Sequence, residues 1–217
     1  MKTYYRQRLP HIQPIGASFF VTFRLYGSIP YAHLGKLKEE YQKKIIEAKC
    51  LKDLKAKNSL LFDIRKRYLF QIDQLLHKIV NGPMVLSQKE ILDKTKEVLH
   101  RFDGEFYDLI CYSIMSNHVH MLIDTSIQIK EDQYFDEFTD KFTTLDQIMK
   151  RVKAPIARFA NTILNTSGQF WERESYDIYI RNEIMMGNVI SYILENPVKA
   201  KLVENWEDYS GNYLKMD

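Results

Sequence analysis

Met115-Ser116-Asn117-His118-Val119-His120-Met121-Leu122-Ile123 reads as a buried strand with two histidines on one side. Side chains alternate across a strand with period two. His118 and His120 therefore leave one face, and Val119, Met121 and Ile123 leave the other. Two imidazoles side by side on a rigid strand form half a site for a divalent metal. Neighbouring histidines also arise by accident, so the motif needs partners elsewhere in the chain.

Upstream, Leu109, Cys111, Ser113 and Met115 alternate with Ile110, Tyr112 and Ile114, the pattern of a strand buried on both faces. Asn117 turns that strand into the histidine strand, which predicts an antiparallel pair. Further back, Ser18-Phe19-Phe20-Val21-Thr22-Phe23-Arg24-Leu25 is a core strand with Phe19, Val21, Phe23 and Leu25 on one face, closed by Gly27 and Pro30, and no chemistry is assigned to it. Phe170 to Arg181 is read as a strand that mixes aromatics with Arg173 and Arg181. That mixture suits base stacking and phosphate binding, although packed rim residues look the same.

Helical periodicity fills the rest. Residues 34–80 predict two antiparallel helices turning at Lys57-Asn58-Ser59 and ending at Gly82-Pro83. The lysines crowding the first half read as a solvated face more readily than as a DNA arm. Ser87 and Glu90 suggest a capping box opening a helix to about His100. The acidic stretch Glu131 to Asp140 reads as a loop or a poorly ordered excursion. Thr144 and Gln147 form a second capping box, opening a helix with the stripe Leu145, Ile148, Val152, Ile156, Phe159 and Ile163. Pro155 should kink that helix and Gly168 should stop it, with Lys150, Arg151, Lys153 and Arg158 on its outside. Asn182 caps a last helix to about Glu195, where Pro197 pushes residue 196 out of helical geometry. Along it, Met185-Val189-Ile193 and Met186-Ile190-Leu194 face the core beside a polar row, Asn188-Tyr192-Asn196. On its own, that row is equally a half-buried tyrosine beside a capping asparagine.

The chain has 217 residues and is 45% hydrophobic, enough for one well-packed core with an appendage. Two cysteines, Cys50 and Cys111, exclude a disulfide framework and fit a reducing interior. With no signal-peptide core and no apolar run near membrane-spanning length, the expectation is a soluble cytoplasmic protein without a membrane partner. A formal charge of +3 does not by itself imply nucleic acid. The N-terminal Thr3-Tyr4-Tyr5-Arg6-Gln7-Arg8 can hold phosphates through Arg6 and Arg8, or be a solvated tail.

Three stretches in order, Met115 to Ile123, Phe170-Trp171-Glu172-Arg173-Glu174-Ser175-Tyr176-Asp177 and Tyr192-Ile193-Leu194-Glu195-Asn196-Pro197-Val198-Lys199-Ala200, resemble the REP-associated tyrosine transposases, a branch of the single-tyrosine HUH nucleases. The likeness runs from the Tyr-Arg start to Leu202-Val203, with Ser116 where relatives usually have proline and Lys201 where they usually have glycine. The resemblance implies one HUH domain over 1–217. Its core would be a ferredoxin-like α+β fold with the histidine strand central in an antiparallel sheet, carrying a helical hairpin insertion at about 34–80. It implies His118, His120 and Asn196 as ligands of Mg²⁺ or Mn²⁺ and Tyr192 as the nucleophile. It further implies a single-stranded or hairpin DNA partner and a homodimer. Arg6, Arg8, Lys150, Arg151, Lys153, Arg173 and Arg181 are then expected to border a basic groove leading to the metal site. Two rivals stand beside this reading. Histidine-triad phosphotransfer requires His-x-His-x-His, and Leu122 breaks that pattern. The other is a catalytically silent binder of hairpin DNA descended from a transposase.

Overall fold

The alternating runs assemble into a five-stranded antiparallel sheet in the computed structural model, which describes residues 4–6, 10–78, 82–129 and 142–216. A small antiparallel ribbon, β1 (Tyr4–Arg6) with β2 (Pro10–Ile12), precedes it. The main strands are β3 (Ser18–Arg24), β4 (Asp108–Ile114), β5 (His118–Asp124), β6 (Tyr176–Tyr179) and β7 (Asn212–Leu214). Their spatial order is β6-β3-β5-β4-β7. With β7 set aside, the four remaining strands lie in the order fourth-first-third-second, the split βαβ arrangement of a ferredoxin-like α+β fold. The histidine strand β5 is thereby central, between β3 and β4.

Six helices are present among the described residues: α1 (Tyr31–Lys49), α2 (Leu54–Lys78), α3 (Lys89–Arg101), α4 (Leu145–Ile163), α5 (Glu183–Leu194) and α6 (Asn196–Lys199). The chain divides into two compact units, Gly27–Pro83 and Met1–Tyr26 with Met84–Asp217. In the larger unit, α3 and α4 cover one sheet face, where Phe19, Val21, Phe23, Val119, Met121 and Ile123 meet Ile91, Val98, Ile148 and Val152. The opposite face carries Phe20, Cys111 and Leu122 against Ile193 and Leu194, at the end of α5. None of the helices among the described residues is long and apolar enough to cross a membrane.

Local chemistry explains where the elements start and stop, and corrects several expectations. The Thr144 capping box forms with both reciprocal bonds, and the Asn182 side chain accepts from the Met185 amide at 2.9 Å. The Ser87–Glu90 box does not form: Ser87 bonds back to the Met84 carbonyl, and α3 begins after Gln88 without a side-chain cap. The hairpin turns at Cys50–Asp53, not Lys57–Ser59, because Asp53 accepts from the Ala56 amide at 2.6 Å and starts α2 there. Asn165, with φ 50°, ends α4 before Gly168. The amides of Asn165 and Thr166 bond to the carbonyls of Thr162 and Asn161, a Schellman motif.

The strand β4 does not alternate evenly. A bulge between Leu109 and Cys111 lets Leu109, Tyr112 and Ile114 share the helix-covered face and leaves Cys111 with the other cluster. The strand expected over Phe170 to Arg181 is regular only at Tyr176–Tyr179, with an isolated bridge from Trp171 to Leu25. Pro197 does not end the helical path. Glu195 keeps helical backbone angles, and Pro197 lies near the start of α6, where a missing amide hydrogen leaves no bond unmade. α6 ends in a second Schellman motif with Lys201 at φ 59°. The left-handed position that glycine occupies without strain is thus held here by lysine. The stretch Glu131 to Asp140 lies outside the described residues.

Candidate active site

The register of the central sheet decides which side chains meet. Thr22 lies opposite His120, and Arg24 opposite His118. These four share the face that β5 turns away from α3 and α4, and Tyr176 joins it through its pairing with Thr22. His118 and His120 are buried at 1% exposure each, and their Nε2 atoms stand 3.1 Å apart. Two nitrogens bound at about 2.1 Å and roughly a right angle to one ion stand about 3 Å apart, so this separation fits a shared metal ion.

Each ring is held from behind. His118 Nδ1 lies 2.6 Å from Asn117 Oδ1, and an amide oxygen only accepts, so Nδ1 carries the hydrogen and Nε2 presents its lone pair. His120 Nδ1 lies 2.8 Å from Thr22 Oγ1, a hydroxyl that donates or accepts and so serves either tautomer. Partners on the far nitrogen that orient an imidazole are the usual second layer of a metal site. Sequence reading passed over Thr22, because the strand was read only for its apolar face. The cross-strand register, which no local pattern specifies, makes Thr22 a site residue.

The helices α5 and α6 supply the rest. Tyr192 lies on α5 with its ring centroid 5.8 Å from that of His120, and Phe20 packs against both, at 5.5 Å from His120 and 5.9 Å from Tyr192. Lys199 sets its ammonium 4.9 Å from the Tyr192 ring centre. Asn196 is 1% exposed, and among the described residues neither its Oδ1 nor its Nδ2 has a hydrogen-bond partner. A buried amide left unsatisfied costs free energy, so these two atoms are open to a partner. Two histidine nitrogens and one amide oxygen are donors suited to a divalent ion.

Arg24 was also missed in the sequence. It is buried, paired with Glu172 at 3.4 Å and hydrogen-bonded to the Tyr176 hydroxyl, which places a fixed cation on the histidine face. Two other tyrosines, Tyr176 and Tyr179, lie near Tyr192 in sequence. Burial raises the Tyr176 pKa, and the Tyr179 hydroxyl accepts from Arg181 Nε at 3.1 Å.

The sequence expects seven basic residues to border one groove. Lys150, Lys153 and Arg173 line a cavity of about 350 Å³ beside Val21, Met149 and Trp171, on the helix-covered side of the sheet. Lys153 is not a solvated cation. Its amine donates to the carbonyl of Glu172 at 2.7 Å and lies 3.3 Å from Ser175 Oγ, and burial lowers its pKa to about 8. Lys150 pairs with Asp146, Arg151 stacks over Phe106, and Arg181 stacks over Tyr179. Arg6 falls within β1, and Arg8 lies outside the described residues.

No family model matches the chain, and no curated protein matches it. Among solved structures, the chain is similar to one described as "Structure of the REP associates tyrosine transposase bound to a REP hairpin". The two share 13% identity over 98% of this chain and 82% of that one, with a TM-score of 0.45.

Proposed function

We propose that this protein cleaves and rejoins single-stranded DNA next to a hairpin, through a 5′-phosphotyrosine on Tyr192. The observation that carries the reading is the paired Nε2 atoms of His118 and His120, oriented by Asn117 and Thr22, with the Tyr192 ring beside them. His118, His120 and Asn196 would hold Mg²⁺ or Mn²⁺, which when bound polarises a scissile phosphodiester. The Tyr192 phenol oxygen attacks phosphorus, the bond to the 3′ oxygen breaks, and the phenol proton ends on the released 3′-hydroxyl. The Lys199 ammonium favours the phenolate as that proton leaves. One phosphodiester replaces another, so the reverse attack by a 3′-hydroxyl rejoins the strand without a nucleotide cofactor. Flanking phosphates are assigned to Arg6, Arg8, Lys150, Arg151, Arg173 and Arg181, whereas Lys153 acts by holding the 172–175 segment. The resemblance of the motifs supports a homodimer as the working assembly, which light scattering would read.

Denaturing electrophoresis with labelled hairpin DNA, with and without chelator, tests the reading. The parent protein should form a metal-dependent covalent adduct, and Tyr192→Phe should form none while melting at the same temperature. An adduct of equal yield from Tyr192→Phe would show that another group is the nucleophile. Binding without any adduct would favour a silent hairpin-DNA binder.

A further inference from the structure

The charge of this protein is unevenly placed. Residues 27–83 hold twelve of the 31 Lys and Arg but only six of the 28 Asp and Glu. That unit therefore carries six net positive charges and the remainder of the chain three net negative. The unit is the helical hairpin, in which α1 buries Tyr41, Ile45 and Ala48 and α2 buries Ile64, Tyr68, Ile72 and Leu76. The Tyr41 and Tyr68 rings meet at 4.4 Å, so the aromatic residues at the helix contact are occupied by packing.

Its tip, residues 43–57, is where the lysines concentrate. Lys43, Lys44, Lys49, Lys52 and Lys55 are exposed, and among the described residues none forms an ion pair. In the larger unit four lysines are paired, Lys89 with Asp93, Lys94 with Glu97, Lys150 with Asp146 and Lys215 with Asp108, while Lys96 and Lys201 are in no ion pair among the described residues. Lys57 is already used, its amine donating to the Lys49 carbonyl at the end of α1 at 2.9 Å. Five ammonium groups without an ion pair, spread over the end of α1, the turn and the start of α2, repel each other, and an anionic partner relieves that repulsion.

We propose that the tip of the hairpin grips the phosphates of duplex DNA, through Lys43, Lys44, Lys49, Lys52 and Lys55, without reading sequence. In substrate terms this is the paired stem of a hairpin, and that assignment rests on the function proposed above. The chemistry of the tip favours duplex over single strand. Binding of unpaired strands uses aromatic platforms for the bases, and residues 43–57 contain no aromatic side chain. Along α1, Lys43 to Lys49 spans about 9 Å, and a duplex carries one phosphate per about 1.7 Å of axis, so several phosphates lie within reach. The exposed Ile46, Leu51 and Leu54 are separated in the chain by these charges and so do not make the continuous apolar run of a membrane-surface helix.

The test compares the full-length parent with the variant K43Q/K44Q/K49Q/K52Q/K55Q, by fluorescence anisotropy between about 50 and 200 mM salt. Three probes are used: a blunt duplex, a stemless oligonucleotide and anionic phospholipid vesicles. With duplex, each lost phosphate contact should flatten the slope of log affinity against log salt by about 0.9, for a total of about 3 to 4.5. Affinity for the stemless strand, and its covalent attachment if the parent shows any, should not change. Duplex binding is read without cleavage, so a parent that forms no adduct overturns the enzyme reading and leaves this measurement intact. An unchanged duplex slope would overturn the proposal, as would an equal loss on the stemless strand. So would a loss of vesicle binding with duplex binding intact. Equal melting curves exclude misfolding of the variant.

Discussion

The two faces of β5 are equally buried and chemically opposite. On one, Val119, Met121 and Ile123 are fully enclosed among the residues of α3, α4 and the neighbouring strands. On the other, His118 and His120 are enclosed to the same degree, yet each is tied to a polar neighbour and both point Nε2 at one place. Burial therefore has two meanings on a single strand. On the apolar face it stabilises the fold by removing hydrocarbon from water. On the polar face, hydrogen bonds only offset the loss of water, and what they secure is orientation. Substitutions on the first face should cost stability, and those on the second should cost chemistry.

The largest effect tests that division directly. Met121→Ala should lower the unfolding free energy by about 2–5 kcal/mol in urea titrations with chelator present. His120→Gln, polar and of similar length, should cost about 1 kcal/mol, the worth of the Thr22 bond, while abolishing metal-dependent adduct formation. Equal losses from the two substitutions would break the comparison.

A smaller and opposite effect is expected at Asn196, which is buried with both polar side-chain atoms unsatisfied among the described residues. Asn196→Leu keeps the approximate shape and removes the unmet amide, so in chelator the variant should be more stable by about 1–3 kcal/mol. It should also lose metal-dependent stabilisation, because a ligand that binds only the folded state raises its stability. A variant less stable than the parent in chelator would show that the amide has a partner after all.

The finest test uses pH on the apolar side, where burial lowers the Lys153 pKa from 10.5 to about 8, with Glu172 and Asp146 offsetting part of the shift. Between those values the unfolded chain binds a proton that the folded chain does not, so stability from this group rises with pH. Below about pH 8 the cost of burying the ammonium is felt in full. Lys153→Met should therefore hold its greatest relative advantage near pH 7, shrinking as pH rises towards 10. A difference between the two proteins that does not vary with pH would place the amine in water.

Much of this architecture was legible in short stretches of chain. Period-two alternation at 18–25 and 109–123 marked three sheet strands, and Thr144 with Gln147 and Asn182 marked two helix starts, because a cap is chemistry between residues three apart. The same local logic misread the hairpin turn and the start of α3. Asp53 was an acceptor as good as any at 57–59, and Ser87 found a nearer partner behind it. The bulge in β4 was invisible, since Leu109 to Tyr112 is apolar on every residue and fits either register.

The sequence by itself determined that His118 and His120 share a face, because the period of a strand admits no other outcome. It likewise placed Tyr192 and Asn196 four residues apart near the end of a helical run. Only the tertiary structure decided that Thr22 stands behind His120, that Arg24 faces His118, and that the Tyr192 ring lies 5.8 Å from an imidazole more than seventy residues earlier in the chain. Strand register and helix docking come from the packing of the whole apolar core, to which each residue contributes a little and which no window of ten residues contains.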